Sequence, residues 1–181
     1  MKGIKKFSQI ILALFFLTAC RTSINNENPI INVDTKIDLL YITDLINSIF
    51  NCIESKNKLK KIFFESEVNT YGVSEILNKL KYYKQNYIDE LLFPKLDDRF
   101  EINLFNTFRS YIDYENFFPV NLTRHKDDRG SFIELVKCEI GGQFSLSTTK
   151  PGITRGNHFH TRKIERFMVI KGKAKIQMRK Y

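Results

Sequence analysis

The hydrophobic period of this chain changes once, and that change constrains what it can fold into more than any other feature. Before residue 118, apolar residues recur every three or four positions. The sets are Leu45, Ile46, Ile49, Phe50 and Ile53, then Ile76, Leu77, Leu80 and Tyr83, then Phe100, Leu104, Phe105, Phe108 and Ile112. Each set falls on one face of an amphipathic helix. After Phe118 the period drops to two in "SFIELVK", "QFSLST", "RFMVIKG" and "KAKIQM", with glycine or proline turns between the runs. Such alternation specifies a small antiparallel sheet or barrel. The expected fold is therefore α+β, with a boundary near Pro119.

The helix ends have their own signals. A short strand precedes the first helix, for which Thr43 and Asp44 offer caps. The second starts near Ser74, with Glu75 in its first turn, and the third follows Pro94, with Asp97 or Asp98 at its start. Lys56, Lys58, Lys60 and Lys61 suit a solvated helix exit, where lysines complement the negative end of the helix dipole.

The first twenty residues are of another kind. Lys2, Lys5 and Lys6 precede the apolar run Ile10 to Leu17, which is too short to span a bilayer but has the length of a signal-peptide core. Leu17-Thr18-Ala19-Cys20 then resembles a bacterial lipoprotein signal, which would make Cys20 a lipidation site and membrane anchor. The competing reading is an accidental N-terminal extension. With Cys20 consumed by lipid, Cys52 and Cys138 are too few and too widely spaced for a disulfide scaffold or a thiolate metal site, and both are expected to be buried thiols.

Charge is distributed as unevenly as periodicity. The formal net charge is +9, yet residues 1–121 hold fifteen basic and fifteen acidic side chains, whereas residues 122–181 hold fourteen basic and five acidic. The whole excess lies in the final third, where it suits an anionic partner as well as it suits a solvated face. Nucleic acid is the weakest candidate, because no helix-turn-helix, zinc-finger or aromatic-stacking motif accompanies the charge.

That same third contains all three histidines, two of them in "PGITRGNHFHTRKIERFMVIKG". On a strand, residues two apart point to one side, so His158 and His160 can face a single ion, with Glu165 adding a carboxylate from the next strand. Two imidazoles and one carboxylate leave coordination positions open, which suits a catalytic zinc, iron, manganese or nickel site better than a closed structural one.

The spacing Gly152, His158, His160, Glu165, Gly172 matches the first signature of the cupin superfamily at every position. The flanks narrow the resemblance. "DDRGSFIEL", Asp127 to Leu135, is similar to the Asp-x-Arg-Gly-x-Phe-x-Glu motif of cupin-type nucleotide-sugar epimerases, and "KPGITRGNHFH" resembles the matching segment of the CapF-type family of capsular polysaccharide enzymes. Upstream, "KIDLLYITDLINSIF", "YGVSEILNKLKYYKQ" and "DDRFEINLFNTFRSYI" resemble the closing part of the short-chain dehydrogenase/reductase domain that precedes the cupin in that family. The resemblance covers roughly residues 26–181. Beside the signal-like leader at 1–20, it implies a helical reductase remnant at 26–117 and a partial cupin at 118–181.

By activity, the resemblance implies epimerisation at C3 of a UDP-linked 4-keto sugar by the cupin and NADPH-dependent reduction at C4 by the other domain, in capsule precursor synthesis of the UDP-N-acetyl-L-fucosamine type. A ketone acidifies its neighbouring carbon, so a base of near-neutral pKa can remove that proton while positive groups stabilise the enolate. Arg129 and Arg155 are candidates for holding the diphosphate, since a guanidinium fork matches phosphate oxygens. Zinc or another divalent ion is the expected cofactor, a UDP-sugar the expected small-molecule partner, and a second copy of the chain a further candidate partner.

The departures from the family are equally specific. No subset of the eight glycines forms a dinucleotide-binding loop, and no tyrosine stands four residues before a lysine, so neither NADPH binding nor reduction is expected. The second cupin signature is missing, which implies an unclosed barrel with an unpaired edge and a marginal monomer. The leader conflicts with a cytosolic nucleotide sugar. A cytoplasmic remnant of the enzyme, truncated at both ends, is preferred over a membrane-anchored lipoprotein acting as a binding module, because the family match spans most of the chain.

Overall fold

The computed structural model of the protein describes residues 34–54 and 69–179. Cys20 and the lysine run Lys56 to Lys61 lie outside the described residues. The elements, in order, are β1 (Lys36–Leu39), α1 (Ile42–Glu54), β2 (Asn69–Gly72), α2 (Val73–Tyr83), a π-helical turn (Lys84–Asp89), β3 (Leu92–Phe93), α3 (Arg99–Arg109), α4 (Tyr114–Phe117), β4 (Arg124–Asp127), β5 (Gly130–Cys138) and β6 (Gln143–Thr149). They form a mixed α+β fold with two sheets.

The core is built where the helical period is strongest. Ile76, Leu80 and Tyr83 of α2 pack against Phe100, Leu104, Phe105 and Phe108 of α3 and against Ile112, with Leu80 and Phe108 completely buried. Ring geometry holds the two helices in register, since Tyr83 meets Phe105 edge-on at 5.1 Å. The β1–β2 antiparallel pair lies over one side, where Tyr71 stacks on Phe100 at 4.1 Å.

Helix α3 begins as its sequence directs, with Asp98 accepting a hydrogen bond from the Glu101 amide at 2.8 Å. The α2 cap differs from expectation. Gly72 is the capping residue, and Glu75, three positions on, accepts its amide at 2.7 Å, while Asp34 accepts from both the amide and the hydroxyl of Ser74. Ser74 is thus inside the first turn, because a carboxylate forty residues upstream supplies what a local serine cap would have supplied. Thr43 and Asp44 are also inside their helix. The Asp44 carboxylate instead pairs with Arg99 of α3 at 2.7 Å.

Two expectations about burial do not hold. The apolar face of α1 stays open, with Ile46, Ile49, Phe50 and Ile53 between 43% and 71% exposed. Amphipathic spacing makes a helix but does not supply the surface it packs on. Cys52 and Cys138 are only partly buried.

The second sheet is organised around β5. β6 pairs antiparallel along its length, with a bulge between Glu134 and Val136, while β4 pairs antiparallel with its first residues. β3 pairs parallel with its last two, so the sheet is mixed rather than purely antiparallel. That parallel contact ties the helical part to the sheet. Glu139, just past β5, strengthens it by accepting from the Lys95 amide at 2.8 Å and from the Tyr82 hydroxyl.

The alternating runs "RFMVIKG" and "KAKIQM" form no ladder among the described residues. Period two selects an extended backbone, but a strand also needs a neighbour about 4.8 Å away to take its hydrogen bonds. From residue 150 to 179 only Arg155 is not exposed.

Candidate functional site

The two histidines and the glutamate do converge, although not on paired strands. The backbone turns through two left-handed residues, Gly156 at φ 99° and Asn157 at φ 61°, immediately before His158. Glycine and asparagine are the residues that tolerate this conformation. The Asn157 carboxamide oxygen accepts from Arg179 Nη2 at 2.8 Å, which anchors this turn to the end of the described chain.

Beyond the turn, the His158 and His160 rings lie 4.8 Å apart, edge to face. His160 Nε2 is 3.2 Å from Glu165 Oε1. One ligand atom from each of His158, His160 and Glu165 falls within 4.8 Å of the others. Ligands at about 2.0–2.2 Å around a tetrahedral ion are roughly 3.4 Å apart, so this set needs only a small closure to hold a divalent metal.

The carboxylate is prepared electrostatically for that role. Lys163, 3.1 Å from Glu165 Oε1, holds the Glu165 carboxyl below its ordinary range, and the two imidazoles act in the same direction. It is therefore ionised, as a metal ligand must be.

A second group assembles between β4, β5 and the segment after β6. Asp127, Arg129, Ser131 and Arg155, with His125, Lys126 and Phe132, line a pocket of about 280 Å³. Asp127 holds its centre. It accepts from the Arg129 amide at 2.8 Å and from the guanidinium Nε and Nη2 at 2.9 and 2.7 Å, and Arg155 Nη2 stands 3.7 Å away. Arg129 foremost lowers the pKa of the Asp127 carboxyl. Arg155 also donates to the Ser147 hydroxyl at 3.3 Å. Behind it, Ser131 is a buried polar residue bonded to Thr148 Oγ1 at 2.8 Å and to Arg124 Nη2 at 3.0 Å.

Gly130 makes this packing possible. At φ 147°, a Cβ there would lie 2.0 Å from the Thr148 carbonyl oxygen and 3.1 Å from Arg155 Nη2. Only a residue without a side chain lets β6 and Arg155 approach so closely.

The structure thus brings Arg129 and Arg155 to one pocket, and Arg155 is three residues before His158. Sequence spacing alone did not single out His125, Lys126, Asp127 or Ser131. The signal was present for Asp127, which opens the Asp-x-Arg-Gly turn, but its partner Arg155 is distant in the chain.

The chain is similar to known proteins over most of its length. Residues 125–181 match the model of the polysaccharide biosynthesis C-terminal domain. A UDP-2-acetamido-2,6-beta-L-arabino-hexul-4-ose reductase from Pseudomonas aeruginosa is 31% identical over 148 residues, covering 82% of this chain and 39% of the relative. The crystal structure of the capsular polysaccharide assembling protein CapF from Staphylococcus aureus superposes with a TM-score of 0.68 at 33% identity, over 81% of this chain and 40% of that one. CapF with the inhibitor 3-isopropenyl-tropolone matches equally well, over 81% of this chain and 43% of that one. The chain therefore spans about two fifths of the length of the relatives it matches.

Proposed function

We propose, from the premise that this chain is a CapF-like capsular polysaccharide biosynthesis protein, that residues 118–181 form part of a cupin acting on a UDP-linked 4-keto sugar, with C3 epimerisation as the reaction. The observation that carries the reading is the convergence of His158, His160 and Glu165, in a segment that also sends Arg155, three residues before His158, into a pocket with Arg129. Zinc is one of the divalent metals that two imidazoles and a carboxylate suit, and when bound it would polarise the ketone oxygen.

The remaining work belongs to the chain's own side chains. Arg129 and Arg155 bind the diphosphate; Asp127 orients the Arg129 fork through two hydrogen bonds, and Arg155 is drawn to the same place by the Asp127 charge 3.7 Å away and a hydrogen bond to Ser147. Positive charge from Lys126 adds to the attraction for an anionic substrate. His125, in the same pocket, is a candidate proton acceptor for the carbon acid next to the ketone. Residues 26–117 are read as the closing part of a reductase-type domain. Within these 181 residues no dinucleotide-binding loop occurs, so the reading includes no NADPH and no reduction.

The test is solvent exchange. Zinc-loaded protein in deuterium oxide should place deuterium at C3 of a UDP-4-keto sugar, followed by NMR. Arg129→Ala with Arg155→Ala should slow exchange at least tenfold with zinc content unchanged, whereas His158→Ala with His160→Ala should remove the zinc. Absence of exchange above background from folded, zinc-loaded protein overturns the epimerase reading.

A further inference from the structure

We propose that Lys163 is a tethered competitor for the metal position, an ammonium that shares Glu165 Oε1 with His160 and so limits how tightly the trio takes a divalent cation. The inference rests on the metal reading above, in which Lys163 only helps to keep Glu165 ionised; the same ammonium also stands where it opposes a bound cation.

The geometry is unusual for a surface pair. Lys163 Nζ lies 3.1 Å from Glu165 Oε1, and His160 Nε2 reaches the same atom at 3.2 Å. One carboxylate oxygen therefore receives both a ligand histidine and a cation supplied by the chain itself. A metal ion coordinated by that oxygen competes with the ammonium for the same electron density. Binding must displace Lys163 or place a divalent ion close to a fixed positive charge, and both weaken the site.

The lysine is well placed to be displaced rather than removed. It is two residues before Glu165, and its side chain is 55% exposed, whereas that of Glu165 is 26% exposed. The carboxylate is thus held in place while the ammonium can swing into water on its flexible stem. Lys163 acts on the site through Glu165, and its effect is electrostatic rather than steric. At spacings near 5 Å in mostly aqueous surroundings, a unit charge beside a divalent ion is worth roughly three- to tenfold in affinity after screening.

The experiment measures affinity for zinc alone, by competition with a chromophoric chelator at one pH, on the full chain and on Lys163→Met, Lys163→Arg and His158→Ala with His160→Ala. Lys163→Met should bind zinc roughly three- to tenfold more tightly at low salt, and the gain should shrink in high salt. Lys163→Arg, which keeps the charge, should bind like the parent. Equal or weaker binding by Lys163→Met, while the parent binds zinc and the double histidine variant does not, overturns the role of Lys163 and leaves the metal reading standing. Failure of both the parent and Lys163→Met to take zinc, with circular dichroism showing folded protein, overturns both.

Discussion

The α2–α3 core and the segment from Lys150 to Arg179 contain similar kinds of side chain and treat them in opposite ways. In the core, Leu80 and Phe108 are fully buried, while Ile164 is 100% and Met178 92% exposed. Hydrophobicity does not separate them. What differs is the distance along the chain to a partner. Helices α2 and α3 are complete by themselves and adjacent in sequence, so one buries the face of the other at a small loop-closure cost. An extended run has no internal hydrogen bonds and leaves its apolar side chains bare until another strand lies beside it. The chemistry-bearing trio sits in the second region, where few packing contacts hold it, and its order comes instead from a left-handed turn, one Arg179–Asn157 bond and mutual electrostatics.

The comparison breaks most readily at its extremes. Phe108→Ala should lower stability by about 3–5 kcal/mol in urea unfolding, because it empties the centre of the core. Ile164→Ala should change it by less than about 0.5 kcal/mol. A cost above about 1 kcal/mol for Ile164→Ala would mean that the final segment is packed in solution and that the contrast is false.

Gly130→Ala tests the join between the two kinds of structure. Strain at φ 147°, together with the clash against the Thr148 carbonyl, should cost about 2–4 kcal/mol and displace Arg155. Thermal melting reads the first effect. Weakened binding of a nucleoside diphosphate reads the second, and an unchanged melting temperature would contradict the close approach of β6 to β5.

A smaller effect than at Phe108 or Gly130 is expected at Glu139, the tie between helices and sheet. The Tyr82 hydroxyl foremost, with the Lys95 amide, holds its carboxyl below the ordinary value of 4.5. Tyr82 remains a donor throughout, since burial foremost pushes it up to about 12. A depressed carboxyl stabilises the fold above its unfolded pKa and loses that contribution as pH falls through the folded one. Glu139→Gln should therefore cost less than about 1 kcal/mol at pH 7, given its exposure, and less again at about pH 3, below the unfolded value. Urea titrations at both values decide it, and a cost independent of pH would show that charge is not what closes the tie.

Much of this was legible in the sequence because it is local. The buried faces of α2 and α3, the Asp98 cap, the strands β5 and β6 and the spacing of His158, His160 and Glu165 each lie within a few turns or a single loop. The expected ladder beyond β6 was not borne out, because alternation reports backbone conformation and says nothing about whether a neighbour is present. The open face of α1 teaches the same thing for helices.

What the sequence determined by itself is therefore where the helices α2 and α3 and the strands β5 and β6 lie, and which chemistry-bearing side chains are close enough in the chain to meet one ion. Only the tertiary structure decided that Arg155 would come to the Asp127–Arg129 pair, that Gly130 would be crowded by β6, and that β3 would run parallel to β5. Local order follows from torsional preference and short-range hydrogen bonding. These meetings depend on where separate segments come to rest against one another, a result of packing that no single stretch of residues contains.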